Sequence, residues 1–208
     1  MSTKNILVIA SSPNTENAAS TNLAQRLGQG LAAARGELPV VLRDLGATPP
    51  SHLDQATIGA FYTPDADRTD EQNQKVALSD ELVAELFAAD AIVIAAPMHN
   101  FGITAHLKSW IDQIARVGRT FEPTGHGPKG LVTNRPVYVV TTRGGAYGPA
   151  TDFNHLDHLE PYLRRVLNFI GIEDISFIYA EGTGKGDDGI KGAEAEIDGL
   201  ISDLAQAA

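Results

Sequence analysis

A chain of 208 residues, 43% of them hydrophobic, with a formal charge of −10, is neither disordered nor membrane-like and is long enough for one substantial core. No apolar run approaches the roughly 18–20 residues of a membrane-spanning helix, and acidity without a basic stripe excludes a nucleic-acid partner. The absence of cysteine excludes disulfides, thiolate catalysis and thiolate metal sites.

The apolar run at 6–10 is too short for a signal-peptide core and reads as a first strand, so the expected location is the cytoplasm. A polar loop follows at 11–20. Leu23, Leu27 and Leu31 then recur every four residues and predict a helix over 20–34, ended by Gly36. Val40-Val41-Leu42 is a second strand running into Asp44. Residues 46–68 read as a long irregular segment, and a loop of that length points to function. A helix is predicted over 70–89, a buried strand over 91–95 and a helix over 103–117. A second long loop at 118–134 contains Gly118, Gly125, Gly127, Pro128 and Gly130. A strand at 137–141, a helix at 155–170, a strand at 175–180 and a helix at 190–205 complete the chain.

Apolar runs alternating with helical periods mean βαβ units and a parallel sheet. Five strands and five helices give α/β architecture, a flavodoxin-like doubly wound sheet of order 2-1-3-4-5 with helices on both faces, as one domain over 1–208. Ligands of such sheets bind beyond the carboxyl ends of the strands, at the switch between strands 1 and 3.

Three loops fall at that end. After strand 1, Ser12 and the turn Ala18-Ala19-Ser20 open a helix, whose orphan amides and positive dipole end favour an anion. No glycine or lysine of a Walker loop is present there, so backbone N–H groups and hydroxyls alone would hold a phosphate. After strand 3, Met98-His99-Asn100-Phe101 places a hydrogen-bonding amide between soft and flat apolar groups, a setting for a flavin ring. After strand 4, Thr142-Arg143-Gly144-Gly145 allows close backbone approach, with N–H donors for the negative charge that reduction builds on the pyrimidine end of a flavin. Together they fit FMN.

Other motifs do not carry chemistry. His155 and His158 lie three apart, as on one helix face, but no further cluster supports a metal. Gly182-Thr183-Gly184-Lys185-Gly186 lacks the spacing of a phosphate loop and reads as a surface turn. His106 reads as partly packed.

The chain resembles the bacterial FMN-dependent NAD(P)H azoreductases and quinone reductases. The resemblance is carried by Ala96-Pro97-Met98-His99-Asn100-Phe101, by His106-Leu107-Lys108-Ser109-Trp110-Ile111-Asp112, by Gly127-Pro128-Lys129-Gly130-Leu131 and by Thr142-Arg143-Gly144-Gly145. It implies FMN contacts at Ser12, Ala18, Ala19 and Ser20 for the phosphate, and at Met98, His99, Asn100, Phe101, Thr142, Arg143, Gly144 and Gly145 around the ring. It further implies a substrate-stacking role near Phe121, a quinone or azo substrate, and a homodimer with Trp110 and Phe121 at the subunit interface. Alanine stands at 18 where the family often has a hydroxyl, histidine at 99 where tyrosine is common, and Glu122-Pro123 follow Phe121. NADH is expected as donor over NADPH, because no arginine cluster stands out to meet a 2′-phosphate. His99 is the one candidate acid, histidine being the side chain commonly used for proton transfer at physiological pH. The rival reading is a one-electron carrier of the flavodoxin type.

Overall fold

The computed structural model describes residues 4–207. In chain order it contains β1 (Asn5–Ala10), α1 (Ala19–Ala34), β2 (Val40–Asp44), α2 (Gln55–Phe61), α3 (Asp70–Ala88), β3 (Ala89–Ala95) and α4 (Ala105–Ile114). These are followed by β4 (Phe121–Thr124), β5 (Gly127–Gly130), β6 (Val137–Thr142), α5 (Leu159–Ile170), β7 (Ile175–Ala180) and α6 (Asp188–Ala207).

The main sheet has the order β2-β1-β3-β6-β7, all pairs parallel. Counting only its own strands, this is the expected order 2-1-3-4-5, in a flavodoxin-like fold. The central strands are apolar on both faces because both are covered. Leu7, Ile9, Ile92, Ile94, Val137 and Val139 pack in a layer with residues of α3, α4 and α5. Their alternates Ile6, Val8, Ala91, Val93, Tyr138 and Val140 pack in the opposite layer with α1 and α6. Trp110 on α4 is buried in the first layer, which withdraws it from any subunit interface.

Several expected spans are corrected. The segment 46–68 is not irregular throughout: the Asp54 carboxylate accepts from the Thr57 N–H at 2.7 Å and starts α2. The loop 118–134 holds the antiparallel hairpin β4–β5, with Phe121 opposite Gly130. The helix predicted from 155 starts at Leu159, because the Asp157 carboxylate caps it by accepting from the Leu159 and Glu160 N–H groups at 2.8 and 3.2 Å. His155 therefore lies in a separate 3-10 turn, and His155 and His158 do not share a helix face.

Helix α4 is likewise shorter than the span 103–117. The Thr104 hydroxyl accepts from the Leu107 N–H at 3.1 Å and sets its start. At its end the Thr120 hydroxyl donates to the Ile114 carbonyl at 2.6 Å and accepts from the Arg116 N–H at 2.9 Å, folding the chain back.

Helix α3 opens on a reciprocal cap: the Gln72 N–H donates to the Thr69 hydroxyl at 3.3 Å and the Thr69 N–H to the Gln72 amide oxygen at 3.0 Å. Thr69→Ala removes the first of these and destabilises the fold by about 1 kcal/mol. Denaturant unfolding will show this as a lower midpoint at unchanged slope.

Candidate functional site

The loops that follow β1, β3 and β6 leave three adjacent strands at the same end, and hydrogen bonds tie them together. The Ser11 hydroxyl donates to the Ala95 carbonyl at 2.7 Å. The Ala96 N–H donates to the Val140 carbonyl, and the Met98 N–H to the Thr142 carbonyl, both at 2.9 Å. The three loops that carry the residues singled out from sequence are thus held side by side at one end of the sheet, bordering the crevice expected there.

In the first loop, the Asn14 N–H donates to the Ser12 hydroxyl at 3.1 Å, and the Asn14 side-chain oxygen accepts from the Glu16 and Asn17 N–H groups at 3.2 Å. This turn delivers the chain to α1 without a side-chain cap at Ala18 and without an acidic residue in the first turn. Helices α2, α3 and α4, by contrast, are capped by Asp54, Thr69 and Thr104. The N–H groups of Ala19, Ser20 and Thr21 find no acceptor among the described residues, nor does the hydroxyl of the buried Ser20 make a hydrogen bond there. Orphan donors at the positive end of a helix dipole suit an anion such as a phosphate.

In the second loop, Asn100 and Phe101 have φ of 49° and 69°, the left-handed region, which asparagine adopts readily but which costs a residue such as phenylalanine about 1–2 kcal/mol. Three bonds hold them there: His99 and Gly102 exchange N–H to carbonyl bonds at 2.9 and 3.0 Å, and the His158 N–H donates to the Phe101 carbonyl at 2.9 Å. Strain of this kind collects at ligand-binding positions. The Asn100 amide is exposed and makes no hydrogen bond among the described residues, so both its donor and its acceptor are available. Met98 is half-buried against the core, and the Phe101 ring, 42% exposed, meets Tyr147 edge-on at 5.8 Å. The exposed His99 ring likewise has no partner among the described residues.

The third loop divides into a brace and an open face. The Arg143 side chain is 0% exposed. It donates to Asp157 at 2.7 Å and to Glu181 at 3.3 Å, and its guanidinium lies 4.9 Å from the Tyr179 ring centre. Its backbone is also engaged: the N–H donates to the Ala180 carbonyl at 2.9 Å, and its carbonyl accepts from the Thr183 N–H at 3.0 Å. Arg143 therefore supports the loop from beneath. The N–H groups of Gly144 and Gly145 have no acceptor among the described residues, and a Cβ built on Gly144 meets nothing within 4 Å. These are the groups left free to face a ligand, beside half-buried Thr142.

Asp157 and Glu181, which brace this loop through Arg143, are positioning residues that the sequence did not single out for the site. The Glu181 carboxylate accepts from the Tyr147 and Gly148 N–H groups at 2.7 and 2.6 Å while pairing with Arg143. The glycine-rich segment after β7 does more than turn: Gly182 and Gly184 donate to the Gly145 and Gly144 carbonyls at 3.0 and 3.2 Å. Beside this network, burial and the Glu160 carboxylate, which accepts from the Tyr179 hydroxyl at 2.6 Å, hold the Tyr179 phenol well above its ordinary range.

Phe121 is not brought to this crevice. Its ring packs 4.5 Å from Phe169, near the far end of α5, and it follows the far end of α4, whose ten residues span about 15 Å. His106 is half-buried with a buried Nδ1 that has no partner. Among the described residues no group of three side chains is placed to hold a metal ion.

Comparison with known proteins adds to the geometry. The chain is 49% identical over 183 residues to FMN-dependent NADH:quinone oxidoreductase 6 of Burkholderia lata, covering 88% of this chain and 90% of that protein. It is 45% identical over 206 residues to the FMN-dependent NADH:quinone oxidoreductase of Leptothrix cholodnii, covering 98% and 97%. The crystal structure of an azoreductase from Bacillus anthracis superposes with a TM-score of 0.83 at 25% identity, over 96% of this chain and 98% of the other. A family described by its flavodoxin-like fold matches residues 4–203, and with these relatives it shows that the chain belongs to the flavodoxin-like family of FMN-dependent NADH:quinone oxidoreductases.

Proposed function

We propose that this chain is a cytoplasmic, homodimeric oxidoreductase with a single FMN-binding domain, which uses NADH to reduce quinones and to cleave azo compounds. One observation carries the reading: the uncapped start of α1, the free Asn100 amide and the open Gly144 and Gly145 amides converge on one crevice. A nucleotide with a phosphate at one end and a flat hydrogen-bonding ring at the other matches that spread of donors. The names of the relatives favour a reductase over a one-electron carrier. Among the described residues no helix is long and apolar enough to cross a membrane.

FMN, when bound, supplies two-electron hydride chemistry between NADH and the acceptor. The residues of the chain then have distinct tasks. The N–H groups of Ala19 and Ser20, with the hydroxyls of Ser12 and Ser20, hold the phosphate, and Ala18 leaves room for it by bringing no side-chain cap. Met98 and Phe101 flank the ring and exclude water, and the Asn100 amide fixes its edge. The Gly144 and Gly145 N–H groups, preorganised by Arg143, Asp157 and Glu181, stabilise negative charge at the pyrimidine end. A second copy of the chain supplies Phe121, which in one copy lies too far from the crevice to touch a substrate there.

Donor and acceptor use one site in turn, so reciprocal plots of rate against NADH at several quinone concentrations should be parallel. Lines that intersect would count against the reading. Solvent reaches the exposed His99 ring and can deliver protons in its place. His99→Gln is therefore expected to keep kcat/KM well within the roughly 100-fold that a general acid contributes, with an unchanged pH profile. A loss of kcat/KM on that scale, with an altered pH profile, would assign the proton to His99.

A further inference from the structure

The glycine-rich stretch at 182–186, a surface turn by sequence, lies against the loop after β6 as a second layer. Three successive N–H groups of this stretch donate to three successive carbonyls of the loop: Gly182 to Gly145 at 3.0 Å, Thr183 to Arg143 at 3.0 Å and Gly184 to Gly144 at 3.2 Å. The hydroxyl of half-buried Thr183 adds a fourth bond, to the Arg143 carbonyl at 3.1 Å. The approach is close enough to need glycine: a Cβ built on Gly184 would stand 3.1 Å from the Gly144 carbonyl oxygen.

All four bonds end on carbonyls of the loop. A trans peptide points its N–H away from its C=O. Tying down the carbonyls of Arg143, Gly144 and Gly145 therefore turns the N–H groups of Gly144, Gly145 and Ala146 to the opposite side. All three N–H groups lack an acceptor among the described residues, and Gly144 and Ala146 are exposed. The next two N–H groups, of Tyr147 and Gly148, are taken by Glu181, so the free set ends there.

These bonds also strengthen the free donors. A carbonyl that accepts a hydrogen bond polarises its peptide, and the N–H of that peptide becomes a better donor. The Arg143 carbonyl accepts from both the N–H and the hydroxyl of Thr183, so the gain is largest at the Gly144 N–H. Such a donor discriminates between two states when negative charge appears in only one of them.

We propose, resting on the FMN reading of the crevice, that Thr183 is a positioning residue that raises the reduction potential of the bound flavin. Its hydroxyl acts through the Arg143–Gly144 peptide and favours the reduced ring over the oxidised one. Thr183 touches neither flavin nor substrate; no bond to it forms or breaks, and no proton leaves it. A preorganised donor is worth about 100- to 1,000-fold, and cooperativity changes a hydrogen bond by about 10–30%, so loss of the hydroxyl should weaken reduced FMN relative to oxidised FMN by about two- to fivefold. At about 30 mV per tenfold for a two-electron couple, the midpoint potential falls by about 9–21 mV.

The test is the midpoint potential of the FMN-loaded protein, titrated anaerobically against a reference dye, with the dissociation constant of oxidised FMN measured alongside. Thr183→Val and Thr183→Ala both lose the hydroxyl and keep the backbone N–H. Both should show the lower potential while binding oxidised FMN as tightly as the wild type. Thr183→Ser keeps the hydroxyl and should keep the wild-type potential. A purely structural role would loosen both oxidation states alike and leave the potential unmoved. An unchanged potential in the Val and Ala variants, or an equal fall in Thr183→Ser, would overturn the role of the hydroxyl while FMN binding stands. Wild-type protein that binds no FMN would overturn the FMN reading and this proposal with it.

Discussion

Asp157→Ala is expected to destabilise the fold by about 3–5 kcal/mol, the cost of stranding a buried charge when its partner is removed. Asp157 does two things with one carboxylate. One oxygen pairs with the fully buried Arg143 at 2.7 Å; the other caps α5 through the Leu159 and Glu160 N–H groups. Without it, Arg143 keeps only the longer contact to Glu181 at 3.3 Å. The next residue, His158, fixes Phe101 through its N–H, so loosening the start of α5 also loosens the strained loop at Asn100 and Phe101. FMN affinity is therefore expected to fall together with stability. Denaturant unfolding and FMN titration read the two effects separately. A variant with wild-type stability would show that the Arg143 network does not support the loop.

Ser12→Asp is expected to raise the FMN dissociation constant by about 100-fold or more while leaving the apoprotein folded. Ser12 is nearly buried beside the uncapped start of α1, and its hydroxyl accepts only the local Asn14 N–H. A carboxylate can accept that same bond, so the turn survives. It also lies where a phosphate would seek the orphan donors of α1, and like charges brought together cost several kcal/mol, each 1.4 kcal/mol being tenfold in affinity. Fluorescence quenching of added FMN measures this. Unchanged FMN affinity would place the phosphate elsewhere.

The backbone of the fold was legible because buried parallel strands are apolar on both faces, and 6–10, 91–95 and 137–141 read as short apolar runs bounded by turns. The crevice was legible for a related reason: its loops follow those strands directly. What escaped was set by contacts distant in sequence or by short elements with no periodicity. The hairpin Phe121–Thr124/Gly127–Gly130 pairs Pro123 with Pro128 and has no alternation to detect. It is seated by Gly130, where a Cβ would stand 2.1 Å from the Gly171 nitrogen. Helix α2 carries a glycine in seven residues, and only its Asp54 cap was a local sign. Arg143 looked like a ligand contact because its neighbours are glycines. Its partners Asp157 and Glu181 lie 14 and 38 residues away, and only the fold reveals that the side chain is spent on them. The family resemblance alone put Trp110 at a subunit interface, but its helix face points into the core.

The central claim is that FMN sits in this crevice and passes electron pairs from NADH to a quinone. Anaerobic titration of the FMN-loaded protein with NADH, followed in the visible absorbance of the flavin, tests it most directly. One equivalent of NADH per FMN should bleach the flavin completely, and an added quinone should restore the colour. Failure to bind FMN, or a flavin that NADH leaves coloured, would contradict it.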